Sequence, residues 1–240
     1  MGLVLFMNIL GIIPARGGSK GLKNKNIKML LGKPMIYYSI QSAKSSKMLN
    51  KIVCSTENSK IASIVKKYGV EVIKRPRELA QDKSKVDDAL RYTVKKLEND
   101  KDNKIDVIVL IYANVPVRKK GIIDESVNKL IKTGADSVIT AVEVGKSNPH
   151  LMFKLNKKNQ PIFLSPIKAY RRQDLPNYYL HDGSVLVMRK KVLMDNNGPN
   201  VNYPFLGEDI RVVIENSLDV VDVDEEIDYY LAKTILENKK

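Results

Sequence analysis

Ile12-Ile13-Pro14-Ala15-Arg16-Gly17-Gly18-Ser19-Lys20-Gly21-Leu22 joins an apolar strand directly to a glycine-rich loop that carries two cations. Glycine lets such a loop turn tightly and bring amide N–H groups close to an anion, while Arg16 and Lys20 offset the charge of phosphate oxygens. The spacing matches neither Gly-x-x-x-x-Gly-Lys-Ser/Thr nor Gly-x-Gly-x-x-Gly, so the Walker loop and the dinucleotide fingerprint are excluded. Taken alone, the same residues also read as an ordinary turn after a strand. Outward from this loop, strand-length runs at Ile9–Pro14, Lys51–Ser55, Glu71–Lys74, Ile105–Tyr112 and Asp136–Val144 alternate with helical patterns. That alternation predicts an α/β fold, a mostly parallel sheet with crossover helices in three layers.

The helical patterns are distinct. Val86, Ala89, Leu90, Thr93, Val94 and Leu97 recur at helical spacing, as do Ile123, Val127, Leu130 and Ile131 before Gly134. Another helix starts near Pro34 and carries Ile36, Ile40 and Ala43. Ligands of open parallel sheets bind beyond the carboxyl ends of the strands, where Arg16, Glu57, Arg75 and Asn114 would converge. Between residues 145 and 180 prolines, paired basic residues and tyrosines interrupt the alternation. Ser184–Arg189 then returns as a strand, Leu218–Asp222 reads as another, and a last helix covers Glu225–Leu236.

A chain of 240 residues with 43% hydrophobic content supports one core and needs no second domain, so residues 1–240 read as one unit. The formal charge of +14 would attract any polyanion. Its lysines, however, are spread between apolar helix positions without a nucleic-acid motif, so no specific nucleic-acid partner is expected. Cys54 is the only cysteine, which excludes an internal disulfide and suits a reducing cytoplasm. Met1–Leu5 is apolar but lacks a basic leader, no membrane span follows, and Met7 is an alternative start.

The loop and its continuation through Lys25-Asn26-Ile27 and Leu31-Gly32-Lys33-Pro34 resemble the N-terminal signature of the acylneuraminate cytidylyltransferases and their relatives acting on other nonulosonic acids and on 3-deoxy-octulosonic acid. The likeness extends through Ser55-Thr56-Glu57, Arg75-Pro76-Arg77-Glu78-Leu79-Ala80, Arg171-Arg172-Gln173-Asp174-Leu175-Pro176 and Asp222-Val223-Asp224, in order over nearly the whole chain. The resemblance implies a nucleotide-diphospho-sugar transferase-like, Rossmann-like sheet. It also implies a dimerisation and sugar-site excursion at residues 145–180, and hence a homodimer. CTP and an acidic sugar are the implied partners, with transfer of CMP to the anomeric hydroxyl and release of pyrophosphate. On this basis Ala15, Arg16, Gly17, Gly18, Ser19, Lys20, Asn26, Arg75 and Ser84 are expected at the nucleotide, with Arg16, Lys20 and Asp222 as the catalytic set. Tyr112, Asn114, Arg118, Arg172, Gln173, His181 and Asp182 are expected on the sugar side.

Asp222 and Asp224 follow an apolar run, and alternation along a strand would turn both carboxylates to one face. Two such carboxylates resist joint ionisation unless a cation lies beside them, which suits Mg²⁺ or Mn²⁺ held together with substrate phosphates. The competing reading makes Asp224 the cap of the last helix. Departures from the family fall on the sugar side. Tyr112 replaces a glutamine, Asn114 a threonine, and Asp182-Gly183-Ser184 the usual Asn-Gly-Ala. Nucleotide transfer to a sugar phosphate or polyol phosphate, a catalytically silent nucleotide binder, and a charge-driven nucleic-acid binder are the alternatives.

Overall fold

The computed structural model describes residues 7–18, 21–99, 104–164 and 171–239, so Ser19, Lys20 and the residues ahead of the alternative start at Met7 lie outside the described residues. In chain order the elements are β1 (Ile9–Pro14), β2 (Met29–Leu30), β3 (Lys33–Pro34), α1 (Met35–Ser45), β4 (Lys51–Thr56), α2 (Ser59–Lys67), β5 (Glu71–Lys74), α3 (Val86–Glu98), β6 (Val107–Leu110) and α4 (Ile122–Thr133). They continue as β7 (Ser137–Glu143), β8 (Phe153–Leu155), β9 (Pro161–Phe163), β10 (Tyr179–Arg189), α5 (Lys190–Asp195), β11 (Ile210–Glu215) and α6 (Glu226–Asn238).

Seven strands form one sheet in the order β11-β7-β10-β6-β1-β4-β5. β1 lies parallel to β4 and β6, β5 parallel to β4, and β11 parallel to β7, while β10 runs antiparallel between β6 and β7. Strand alternation sorts the core into two layers. Ile9, Ile13, Val107 and Val109 pack with α1, α2 and α4 on one face, whereas Leu10, Ile12, Ile108 and Leu110 pack with α3 and α5 on the other. The expected three-layer α/β fold is therefore present. At the carboxyl end of the sheet, Leu22, Leu30, Val117, Val221, Val223 and Ala232 bring the first loop, the loop after β6 and α6 together.

One expected strand is absent. At Leu218–Asp222 the Asn216 side chain accepts from the Leu218 amide at 2.9 Å and closes a local turn. Only Val221 pairs, as an isolated bridge to Val117, and the edge strand is β11 instead. Between β7 and β10 the described residues 145–164 and 171–178 lie outside the main sheet, which the chain rejoins at Tyr179 and Leu180, paired with Glu143 and Val142 of β7. Their β8–β9 hairpin is a separate two-stranded sheet on which Phe153 and Phe163 stack at 5.6 Å while remaining 53% and 52% exposed. No helix among the described residues is long and apolar enough to cross a membrane.

Candidate active site

β1 delivers its loop to the carboxyl edge, and Ala15 prolongs the pairing by donating to the Ser55 carbonyl at 3.0 Å. Beyond it the Asn26 side chain, almost fully buried, donates to the Arg16 carbonyl at 2.9 Å. Asn26 therefore fixes the loop from beneath. The Gly17 amide donates to Glu57 at 2.6 Å, so it is already engaged, while a Cβ on Gly18 would meet only open space. Gly21 passes so close to Asp224 that a Cβ there would sit 2.5 Å from the Asp224 carbonyl, and only glycine permits this approach.

Arg16 reaches across to the turn after β5, donating to the Gln81 carbonyl at 3.1 Å and to Asp82 at 3.2 Å. Within that turn the Ser84 hydroxyl donates to the Glu78 carbonyl at 2.6 Å and accepts from the Gln81 amide at 2.9 Å. Ser84 thus shapes the wall with the hydroxyl that was expected to meet the base. Arg75 is buried and donates through Nε and Nη2 to Glu57 at 3.3 and 3.2 Å. Glu57 consequently ties the first loop to β5.

Opposite Arg16 stand the two aspartates. Asn114, the side chain that follows β6, donates to Asp222 and reaches the Val223 carbonyl at 3.2 Å and Asp224 at 3.4 Å, while Lys25 pairs with Asp224. The carboxylates converge as expected, but through Asn114 rather than through strand alternation. The N-cap of α6 is Glu225, in a capping box with Asp228, which corrects the reading of Asp224 as the cap; the Asp224 carboxylate lies in the pocket instead, paired with Lys25. Burial against the protein side pushes the Asp222 carboxyl up to about 6, and the neighbouring Asp224 charge adds to this. Two hard-oxygen donors that disfavour each other's charge fit a divalent cation that takes its remaining ligands from phosphate and water. Among the described residues no group of three or more His, Cys, Asp or Glu is placed to hold a metal ion.

Arg16, Lys25, Asn26, Arg75, Ser84, Tyr112, Asn114, Asp222 and Asp224 line one cavity of about 380 Å³. Its lining mixes the cations Arg16, Lys25 and Arg75 with the carboxylates of Asp82, Asp222 and Asp224. A larger hollow of about 950 Å³ lies across the Glu57–Arg75 wall, without the aspartates. Lys25, Glu57 and the Gln81–Asp82 turn complete the site. Lys25 and Glu57 stand inside recognisable motifs, but the Arg16 contact to Gln81 and Asp82 joins segments remote in sequence and leaves no local signal.

The sugar-side expectations divide. Tyr112 and Asn114 line the cavity, and burial, with Asp222 adding to it, pushes the Tyr112 phenol upward. Arg118 does not line it. Its guanidinium donates to the Ser184, Val115 and Tyr112 carbonyls at 3.0, 3.1 and 3.2 Å, so it staples the loop after β6 to β10. The His181 ring bonds the Thr140 carbonyl at 2.9 Å, and Asp182 turns inward to Thr140 and to the Ser184 amide. Gln173 borders a different hollow with Glu143, Asn148 and Asn177. Of Arg172 the backbone is placed, in a short turn spanning Arg172–Asp174. Cys54 is buried and its thiol is pushed up to about 12 by that burial, far from reactive.

The model of the cytidylyltransferase family matches residues 10–196. A post-translational flagellin modification protein B of Campylobacter coli is 30% identical over 232 residues, covering 96% of each chain. The CMP-N,N'-diacetyllegionaminic acid synthase of Campylobacter jejuni is 28% identical, again over 96% of each chain. An N-acylneuraminate cytidylyltransferase of Streptococcus agalactiae is 34% identical over 78% of this chain, which spans 45% of that longer protein. The fold matches a CMP:2-keto-3-deoxy-manno-octonic acid synthetase solved with CTP, with a TM-score of 0.74 at 16% identity over 97% of this chain and 100% of the other.

Proposed function

The chain belongs to the cytidylyltransferase family, and from that premise we propose that it transfers CMP from CTP to an acidic 2-keto-3-deoxy sugar of the nonulosonic class. The observation that carries this reading is the one cavity that brings Arg16, Lys25, Asp222 and Asp224 together at the carboxyl end of a mostly parallel sheet. The anomeric hydroxyl attacks the α-phosphorus of CTP and gives up its proton to solvent; the new P–O bond forms as the bond to the bridging oxygen breaks, and pyrophosphate leaves with that electron pair. Such chemistry needs placement and charge stabilisation rather than a covalent nucleophile.

Arg16 and Lys25 are assigned to the triphosphate, together with the sequence-assigned Lys20. Arg75 and the Ser84 turn present the base wall. Asp222 and Asp224 are the residues that would hold Mg²⁺ or Mn²⁺, and such a cation would supply positive charge against the phosphates. Asn114 keeps the carboxylates together for that purpose. Tyr112 occupies the acceptor wall, where a phenol replaces the glutamine of sialic acid enzymes, so a diacetamido or otherwise modified nonulosonic acid is the favoured acceptor. The named acceptor of the legionaminic acid relative supports this choice.

Two further assignments complete the reading. The exposed apolar hairpin β8–β9 is the contact of a homodimer, since an apolar patch of this kind marks an interaction surface. The enzyme acts in the cytoplasm, where CTP is available and Cys54 stays reduced. Pyrophosphate release on N-acetylneuraminic acid, 3-deoxy-octulosonic acid and a diacetamido nonulosonic acid tests the acceptor. Fastest turnover is expected on the last; a strong preference for N-acetylneuraminic acid, unchanged by Tyr112→Gln, would sink the argument from Tyr112.

A further inference from the structure

Behind Asp222 lies a cluster of buried polar atoms that the reaction does not use. Asp182 Oδ2 and both Glu215 carboxyl oxygens are buried without a close hydrogen bond, the Ser184 hydroxyl is the one neighbour that acts on Glu215 as a donor, and Glu215 is only 5% exposed. Unsatisfied buried groups are rare in folded proteins and need an explanation. A carboxyl that retains its proton becomes a donor, and a hydroxyl can rotate toward a neighbouring acceptor. One proton shared between Asp182 and Glu215, with the Ser184 hydroxyl turned to the second Glu215 oxygen, would satisfy all of these atoms.

We propose that Glu215 is a positioning residue that keeps its proton and donates it to Asp182, thereby holding the Asp182–Ser184 turn against Asp222. The remaining contacts of that turn give this consequence. Asp182 Oδ1 accepts from the Ser184 amide at 2.8 Å and from Thr140, which bends the chain through Gly183 at a φ of 72°. A Cβ on Gly183 would stand 3.0 Å from Asp222 Oδ2, so the turn forms the wall behind that carboxylate. Arg118 joins the same turn to the loop bearing Asn114 through the Ser184 carbonyl. The groups that act on Glu215 are Asp182 and Ser184 from β10 and Arg118 and Lys119 from the segment before α4. Burial, followed by the Asp182 charge, pushes the Glu215 carboxyl up to about 7.

The inference rests on the reading that Asp222 belongs to the reaction centre, and the test separates the two. An acid whose folded pKa is raised binds more protons folded than unfolded, so stability falls as pH rises between the unfolded and folded values. For Glu215 that window runs from 4.5 to about 7. Glu215→Gln keeps the shape and a donor but cannot ionise. In urea unfolding, its folding equilibrium constant relative to wild type should rise on the order of 50-fold between pH 5 and pH 8. Its pH–rate profile should keep activity on the alkaline side where wild type declines. Asp182→Asn removes the charge that raises Glu215 and should move the stability window of the remaining carboxyl downward. Parallel stability curves for wild type and Glu215→Gln would overturn the shared proton, and coincident pH–rate profiles would overturn the positioning role. If instead Asp222→Asn kept full turnover while the stability result held, the site reading would fail and the proton pair would stand.

Discussion

Replacing Glu57 by alanine should damage the molecule in two ways at once, because this carboxylate joins the phosphate loop to β5. The Arg75 and Glu57 side chains are 5% and 14% exposed, so the charge left on Arg75 could not recover its hydration. Breaking a buried pair by removing one partner costs about 3–5 kcal/mol. The contacts at 3.2 and 3.3 Å are long, which favours the lower end, and the Gly17 amide loses its acceptor with a further cost of about 1 kcal/mol. A net loss of about 4 kcal/mol in urea unfolding is expected. Glu57→Gln can keep the Gly17 bond and should lose about 2 kcal/mol. Combining it with Arg75→Met removes the stranded charge and should recover part of that loss. The reasoning is refuted if Glu57→Ala destabilises by less than about 1 kcal/mol, the range of an exposed pair.

Asp222→Asn should reduce turnover by at least about 100-fold with the fold intact, a change read from pyrophosphate release beside a melting curve. The same carboxyl must be ionised to hold a cation; with its pKa raised to about 6 in the metal-free site, activity at limiting Mg²⁺ should fall as pH drops through 6, and saturating Mg²⁺ should move that fall to lower pH. Excess chelator should abolish turnover, and Mg²⁺ or Mn²⁺ should restore it. Arg16→Ala should raise the KM for CTP and lower kcat by about tenfold or more, since a charge-assisted bond to phosphate contributes about 1.5–3 kcal/mol; unchanged kinetics would remove Arg16 from the triphosphate. Phe153→Asp with Phe163→Asp should yield a monomer in light scattering, and a dimer that persists would place the contact elsewhere.

Much of the fold was legible because it rests on local periodicity. The apolar face of α3 and the alternation of β1 carry their own partners' geometry, and Gly134 closes α4 in the left-handed conformation that glycine favours. The Leu218–Asp222 strand failed because an apolar run does not reveal that Asn216 will capture the backbone of the following turn. At the site, motif residues such as Arg16, Asn114 and Asp222 were visible, yet several of their roles were not. Ser84 and Arg118 direct their donors to backbone carbonyls, which no residue type announces. Glu215 sits outside every motif, and its meaning comes from Asp182 and Ser184 on a strand that reaches it only through the sheet.

The most direct test of cytidylyl transfer is pyrophosphate release from each of CTP, UTP, ATP and GTP with Mg²⁺ and a diacetamido nonulosonic acid, with the sugar product weighed by mass spectrometry. The account predicts release that needs the acceptor, a strong preference for CTP, and a product whose mass is that of the sugar plus CMP less water. Equal use of ATP or GTP, or pyrophosphate release without a CMP-sugar, would contradict it.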